Sequence, residues 1–227
     1  MEARLPATLR ERNKVRRREA IFDSTLALLR SERLSDITTE RIAERAEVSA
    51  MTVYNLVGTR EELLVALIDR VINGLVAELA RRMQADDRDP IADAQMIIEV
   101  SSAAFIVDSF AFRQILGSMR DFTGAGAKMK VDPSQLQVAA MRRAQVQGII
   151  RGDLDPSALG KQIYLSYIGA ANAWAGGILD DEGFRLAALH GLYVTLVSGS
   201  TDRWRDSFTG VFLELSSKLA RTQWGQS

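Results

Sequence analysis

The sequence predicts an all-α fold, in which an N-terminal domain of three helices is followed by a larger helical domain. Apolar residues recur at helical spacing along most of the 227-residue chain, and no alternating pattern is long enough to indicate a strand. Residues 38–64 predict two short helices around a tight turn and then the capped start of a third helix. With 47% hydrophobic residues, the chain can bury one large core or two small ones.

The first helix is predicted over residues 18–33. Its apolar face consists of Ile21, Phe22, Thr25, Leu28 and Leu29. Ahead of this helix lies a basic arm, residues 1–17. The basic side chains of the first eighteen residues are Arg4, Arg10, Arg12, Lys14, Arg16, Arg17 and Arg18, against only Glu2 and Glu11. Because the net charge of the whole chain is zero, this clustering is a local feature of the arm.

Residues 38–57 predict a helix-turn-helix. Thr38 and Ser49 are the expected N-caps of its two helices, and Glu47 and Val48 form the turn between them. The residues expected to face the core are Ile42, Ala43, Ala46, Val53, Leu56 and Val57. The residues left on the outer face of the second helix are Ala50, Met51, Thr52, Tyr54 and Asn55. Such a helix fits a DNA major groove, which is about 12 Å wide, although ordinary core packing produces the same apolar pattern.

A long connecting helix is predicted from Thr59 to about Met83. Thr59 and Glu62 have the spacing of a capping box, which marks a helix start. The free N–H groups at such a start, together with Arg60, favour a phosphate. The basic arm is expected to lie along a DNA backbone or in a minor groove, and a disordered solubilising tail is the alternative for residues 1–12.

The rest of the chain predicts further helices. Pro90 follows a polar break at residues 86–90, and Asp132-Pro133 and Asp155-Pro156 are pairs of a cap and a first-turn proline. The predicted helices cover residues 90–107, 109–119, one from 132, one from 155 that Gly176-Gly177 closes, 182–198 and 202–221. Residues 120–131 predict a flexible loop.

Several segments of the N-terminal third resemble the TetR family of bacterial transcriptional regulators. These segments are IFDSTLALL (residues 21–29), IAERAEVS (42–49), TVY (52–54) and TREELL (59–64). The resemblance implies a homodimer that binds a palindromic operator in double-stranded DNA and holds a small-molecule inducer in its helical domain. It divides the chain into the arm at 1–17, a DNA-binding domain at 18–64, and an effector-binding and dimerisation domain at 65–227.

The resemblance also implies which residues contact DNA. The base-reading residues are Ala50, Met51, Thr52 and Asn55, and the phosphate-contacting residues are Thr38, Ser49, Tyr54, Thr59 and Arg60. Three positions depart from the family pattern. Glu47 and Met51 replace glycines, and Leu56 replaces a histidine or tyrosine. Glu47 is expected to be left-handed with strain on the order of 1 kcal/mol, and Met51 can touch a thymine methyl.

The central helices suggest a cavity for a small lipophilic or aromatic effector. Bulky residues cluster there: Phe105, Phe110, Phe112, Met119, Phe122, Met141, Tyr164, Tyr167 and Trp174. We expect Phe105, Phe110, Met141 and Tyr167 to line it. Polar residues in these apolar helices are Glu99, Ser102, Asp108 and Asn172. We expect Glu99 and Ser102 to orient the effector, the alternative being satisfaction by neighbouring backbone.

The last helices suggest a dimer interface. The resemblance implies a four-helix contact between two copies, to which we assign Trp174, Phe208 and Phe212, with packing inside one chain as the alternative.

Other classes of protein lack support in the sequence. There are no cysteines, no apolar run of the roughly 20 residues that a membrane helix needs, and no apolar centre of a signal peptide near the N-terminus. His190, the single histidine, is expected to be structural, and we predict neither enzyme activity nor a cofactor or metal. The expected function is that of a cytoplasmic repressor released from its operator by an apolar ligand. An activator of the same family, or a helical adaptor that no longer binds DNA, is the alternative.

Overall fold

The computed structural model describes residues 8–83, 88–119 and 132–222. Within these ranges the chain forms ten α-helices and one short 3-10 helix, Leu34–Asp36, and no strand. The α-helices are α1 Leu9–Leu29, α2 Thr39–Arg45, α3 Ala50–Val57, α4 Arg60–Arg82, α5 Pro90–Ile106, α6 Ser109–Met119, α7 Ser134–Val146, α8 Pro156–Ala175, α9 Asp181–Gly199 and α10 Asp202–Leu219. The predicted all-α fold is therefore confirmed, whereas the predicted loop at 120–131, with Phe122, lies outside the described residues.

Helix α1 begins at Leu9, which corrects the predicted start at residue 18. The Thr8 hydroxyl accepts a hydrogen bond from the Glu11 N–H, and the Glu11 carboxylate accepts one from the Thr8 N–H, so a capping box begins the helix. Arginine and lysine are good helix formers, so nothing in residues 9–17 interrupts the helix. Most of the predicted basic arm therefore forms the first turns of α1.

Helices α1, α2 and α3 pack around a small core. The largest of its fully buried side chains are Ile21, Leu29 and Ile37. The N-terminal half of α4 closes this core with Leu63 and Leu64, which are 2% exposed. Arg70 of α4 pairs with Glu19 and Asp23 of α1, which holds the two helices side by side. Because α4 continues to Arg82, one rigid element extends from the three-helix domain into the larger domain.

The larger domain is built mainly on the packing of α7, α8, α9 and α10 with α5. Trp174 of α8 stacks on Phe184 of α9, with ring centroids 5.2 Å apart and both side chains fully buried. Two glycines permit close helix approach. A Cβ at Gly160 of α8 would lie 2.5 Å from the Val138 backbone of α7, and a Cβ at Gly191 of α9 would lie 2.5 Å from the Ser166 Cβ of α8.

Gly160→Ala is expected to destabilise the protein, because the added methyl can be accommodated only by separating α7 and α8. Overpacking of this kind costs about 1–3 kcal/mol. The matched control is Gly74→Ala on the exposed side of α4, where a Cβ meets nothing within 4 Å. That change should raise stability by about 1 kcal/mol through helix propensity. Urea denaturation of both variants measures the difference, and equal stabilities would contradict the close packing at Gly160.

Across the described ranges, no single helix is long and apolar enough to span a membrane. The pair α5 and α6 passes the same test of length and composition together, but it is bent by 99° at its break.

Candidate functional site

The helix-turn-helix is held by three side-chain caps. The Thr38 hydroxyl accepts from the Arg41 N–H at 3.3 Å, and the Ser49 hydroxyl accepts from the Thr52 N–H at 3.1 Å. Thr59 and Glu62 form the predicted capping box at the start of α4. These three predicted helix starts are confirmed. The caps fix the angles at which α2, α3 and α4 leave their turns.

The turn between α2 and α3 contains a left-handed residue. Glu47 has a φ of 53°, which confirms the left-handed backbone expected at this position. The next residue, Val48, donates its N–H to the Ala43 carbonyl at 2.9 Å, which closes the turn onto α2. Ala43 is 3% exposed, so its small side chain lets the two helices approach. The tight turn therefore orients α3 outward.

The outer face of α3 is open to solvent. Met51 is 66% exposed and Tyr54 is 61% exposed, and Asn55 beside them is exposed as well. Val53 and Val57, on the opposite face, are buried in the core. Ala50 and Thr52 are half-buried at the rim. The arrangement leaves the predicted base-reading residues at the surface, and their contacts with DNA stay a prediction.

The first turns of α1 border this face. Arg10, Asn13, Lys14 and Arg17 line a groove together with Thr52 and Asn55 of α3. Leu56, predicted to face the core, is half-buried and also lines the groove, as does Leu9. The groove therefore combines cationic side chains with the polar residues of α3, an arrangement suited to a polyanion.

Arg60 is engaged within the chain. Its guanidinium donates a hydrogen bond to the Leu34 carbonyl in the segment between α1 and α2. The Thr38, Ser49 and Thr59 hydroxyls serve as helix caps while their residues remain exposed. Their predicted phosphate contacts, like that of Arg60, are untested by this geometry.

An apolar cavity lies between five helices of the larger domain. Its walls come from α4, α5, α6, the start of α7 and α8. Its lining includes Ile72, Phe105, Leu116, Gln137, Tyr164, Tyr167 and Ala171. None of the described residues that line it is charged. A cavity of this kind is suited to a largely apolar small molecule.

The predicted ligand-binding residues divide into three groups. Phe105 and Tyr167 line the cavity. Ser102 and Met141 are fully buried but belong to the surrounding core and do not line it. Glu99 is exposed and Phe110 is 49% exposed, so their predicted place in the cavity is wrong. Helix α5 is apolar nearly all round and α6 is short, so spacing alone did not indicate which side faces inward.

Two buried polar atoms in the cavity wall lack partners in the described chain. They are the Tyr167 hydroxyl and Oε1 of Gln137. Burial raises the pKa of the Tyr167 phenol well above its usual value, so the hydroxyl is protonated. Sequence reasoning missed Gln137, because a glutamine in an amphipathic helix predicts an exposed residue.

Helix α6 connects this cavity to the three-helix domain. The Gln114 side chain accepts from the Leu34 N–H at 2.7 Å and donates to the Glu32 carbonyl at 3.1 Å. Asp108, just before α6, accepts two hydrogen bonds from the Arg30 guanidinium at 2.7 and 2.8 Å. The sequence indicated α4 as the link between the domains, and α6 is a second one.

The predicted interface residues are not equally available. Trp174 is 0% exposed and its Nε1 donates to Asp181 at 2.7 Å, so it belongs to the core of one chain and the prediction for it is wrong. Phe208 is also buried within the chain, against Tyr193 and Trp204. Phe212 is half-buried and its interface role stays a prediction. The apolar periodicity of a helix does not distinguish packing within a chain from packing between chains.

His190 packs between α9 and α10. Its Nε2 lies 3.0 Å from the Ser216 hydroxyl and its ring lies 5.0 Å from that of Phe212. Burial lowers the pKa of the imidazole. These contacts agree with the predicted structural role.

Three transcriptional regulators are among the solved structures that share this architecture. FadR of Thermus thermophilus, a TetR-family repressor solved with lauroyl-CoA, matches with a TM-score of 0.64 at 21% identity, covering 79% of this chain and 93% of that one. SmeT, the repressor of the multidrug efflux pump SmeDEF of Stenotrophomonas maltophilia, has a TM-score of 0.59 at 23% identity, with coverages of 82% and 91%. A TetR-family regulator of Marinobacter aquaeolei has a TM-score of 0.60 at 14% identity, with coverages of 87% and 98%.

These likenesses identify the fold. The chain has the fold of the TetR-family transcriptional regulators, as the segments at residues 21–64 predicted. No protein-family model and no curated protein matches the sequence.

Proposed function

We propose that the protein is a DNA-binding transcriptional repressor of the cytoplasm. In this proposal a homodimer binds a palindromic operator and is released when a small, largely apolar ligand fills the cavity. The observation that carries it is the open face of α3, where Met51, Tyr54 and Asn55 are exposed beside the cationic first turns of α1. The fold shared with repressors such as FadR and SmeT supports the same function.

The groove between α1 and α3 supports two kinds of contact with DNA, one from each helix. Side chains of α3 would reach base edges in the major groove, while Arg10, Lys14 and Arg17 would neutralise phosphates beside it. Each neutralised phosphate releases counterions, so affinity should fall linearly with the logarithm of salt concentration. Fluorescence anisotropy with the DNA that flanks the protein's own gene tests this. A failure to bind that DNA more tightly than a scrambled duplex at any salt concentration would contradict the proposal.

The proposed effector site is the apolar cavity. FadR was solved with lauroyl-CoA and SmeT with triclosan, which supports a small-molecule ligand for this fold. The cavity touches both connections to the three-helix domain, since Ile72 lies on α4 and Leu116 on α6. A ligand that prefers one tilt of these helices would change the separation of the two α3 helices in the dimer.

Gln114→Ala is expected to weaken the coupling between the cavity and DNA binding. Ala171→Leu fills part of the cavity as a ligand would, and it should lower operator affinity by about 5- to 150-fold, the range of a coupling energy of 1–3 kcal/mol. Combined with Gln114→Ala, which removes the contacts of α6 with Leu34 and Glu32 and leaves α4 in place, the loss of affinity caused by Ala171→Leu should be smaller. Anisotropy on the wild type, both single variants and the double variant completes the cycle.

Two results would count against this connection. Unchanged operator affinity in Ala171→Leu would mean that the cavity does not communicate with α3. An equal loss of affinity in the presence and absence of Gln114 would leave α4 as the single connection.

The proposed dimer uses exposed apolar side chains of α8, α9 and α10. These are Leu165 at 60% exposure, Val194 at 45% and Leu213 at 59%. On α9, Gly191 contacts Ser166 of α8 while His190 contacts Ser216 of α10, so α9 lies between the other two helices. Two such layers facing each other would bury these side chains about a two-fold axis.

A further inference from the structure

The cavity among α4 to α8 has a mainly apolar wall that also includes Ser101 and Tyr164, and two of its residues carry a buried polar atom without a partner. One is Oε1 of Gln137, whose residue is 2% exposed, and the other is the hydroxyl of Tyr167, whose residue is 8% exposed. Buried polar groups without a partner are rare in folded proteins and are costly. Their presence in the wall of one cavity indicates that a ligand satisfies them.

The orientation of the Gln137 amide is fixed by its other contact. Nε2 donates a hydrogen bond to the Ala94 carbonyl at 3.0 Å. A carbonyl accepts and does not donate, so the NH2 group must face Ala94 and Oε1 must be the free atom. Oε1 therefore requires a hydrogen-bond donor from the ligand.

The Tyr167 hydroxyl can donate a hydrogen bond, whereas Oε1 of Gln137 can only accept one. The nearby Ser102 hydroxyl partly opposes the effect of burial on the pKa of the phenol, and it donates its own hydrogen to the Ile98 carbonyl at 2.7 Å. By standard distance and angle, the Tyr167 hydroxyl has no hydrogen-bond partner among the described residues. The Tyr167 O–H is thus available to donate to an acceptor on the ligand.

We propose that the effector is an uncharged, largely apolar molecule that carries a hydroxyl group, which donates to Gln137 and accepts from Tyr167. The inference rests on the proposed function in taking this cavity as the effector site, and it adds the chemical class of the effector. A single hydroxyl can supply both a donor for Gln137 and an acceptor for Tyr167. An ether or a simple ester has no donor and leaves Gln137 unpaired.

A carboxylate or another anion is the wrong ligand for this wall. The described residues that line the cavity include no lysine, arginine or histidine to compensate a negative charge. Removing an ionised carboxylate from water without a partner costs far more than the apolar contacts of a short chain return. The same argument disfavours a cationic ligand, since no aspartate or glutamate lines the described wall.

Calorimetry on the full-length protein with three probes tests the inference. The probes are decan-1-ol, decyl methyl ether and decanoate at pH 8, which share one apolar chain and differ at its end. Decan-1-ol should bind, the ether should bind about tenfold more weakly because it cannot donate to Gln137, and decanoate should not bind at concentrations that saturate the alcohol site. Comparable binding of ether and alcohol, binding of decanoate, or no binding of decan-1-ol would overturn the inference.

Tyr167→Phe tests the same inference by changing the protein instead of the ligand. The variant removes a buried, unpaired hydroxyl, so it should melt at a higher temperature than the wild type and bind decan-1-ol about tenfold more weakly. Tyr193→Phe is the matched control, since it removes the hydroxyl of another buried tyrosine, on α9, that does not line the cavity. The control should change the affinity for decan-1-ol by less than twofold. Unchanged alcohol affinity in Tyr167→Phe would overturn the assignment of that hydroxyl.

Binding and DNA release are measured separately. Binding of decan-1-ol with the stated preferences supports the ligand class even if operator affinity does not change. In that outcome the proposed control of DNA binding fails while the ligand class stands.

Discussion

Replacing Met51 with glutamate is expected to lower operator affinity by about 100-fold or more. Met51 lies on the outer face of α3 and is 66% exposed, so its side chain would meet base edges in the major groove. A carboxylate there faces the negative potential of the phosphates and loses the contact with a thymine methyl. A single defect in a protein–DNA interface costs about 1–3 kcal/mol, and a dimer carries the change twice.

The fold should tolerate this substitution. Met51 is the second residue of α3, where a negative charge favours the helix dipole, and glutamate forms helices about as readily as methionine. The matched control is Val146→Glu at the end of α7, where the side chain is 89% exposed. It adds the same charge at a position distant in sequence from α3. Operator affinity should therefore stay within about twofold of the wild-type value, as expected for an isolated surface charge. If anisotropy gave equal operator affinities for Met51→Glu and Val146→Glu, then α3 would not be part of the DNA interface.

Replacing Val194 with glutamate is expected to dissociate the dimer and to remove most operator binding. Val194 is 45% exposed on α9, the middle helix of the proposed interface. A two-fold axis through this layer would bring two carboxylates close together in a desolvated contact. Burying unpaired charges costs several kcal/mol, which exceeds what a few apolar contacts supply. Loss of the second subunit halves the contacts with a palindromic site.

Sedimentation velocity at micromolar concentration measures this effect directly. The wild type and Val146→Glu should sediment as dimers and Val194→Glu as a monomer with an unchanged helical circular dichroism spectrum. A wild-type monomer would eliminate the proposed assembly. A Val194→Glu dimer would place the interface elsewhere on the chain.

Much of the fold was predictable because its signals are local. A cap such as Thr38, Ser49 or Thr59 lies three residues from the N–H that it accepts from, and the first-turn prolines Pro90 and Pro156 act within their own helices. The helix-turn-helix is made almost entirely of such signals. For this reason the sequence predicted its caps, its turn and its exposed face.

The cavity and the interface depend on long-range contacts, which sequence patterns do not encode. Gln137 meets Ala94 43 positions away, and Gln114 meets Leu34 80 positions away. Trp174 looked like an interface residue until its stacking on Phe184 placed it in the core. One local signal was missed. The charges of residues 9–17 suggested a basic arm, whereas a capping box at Thr8 begins helix α1 there.

Selection of DNA ligands from a random duplex library tests the central claim most directly. The wild-type protein should enrich a palindrome whose half-sites lie about one helical turn apart, roughly 34–36 Å, because two α3 helices in a two-fold dimer would read equivalent sequences. Affinity for the enriched site should fall steeply as salt is added. Selection that enriches no sequence over repeated rounds, or that enriches single-stranded or non-palindromic sites, would contradict a dimeric operator-binding regulator.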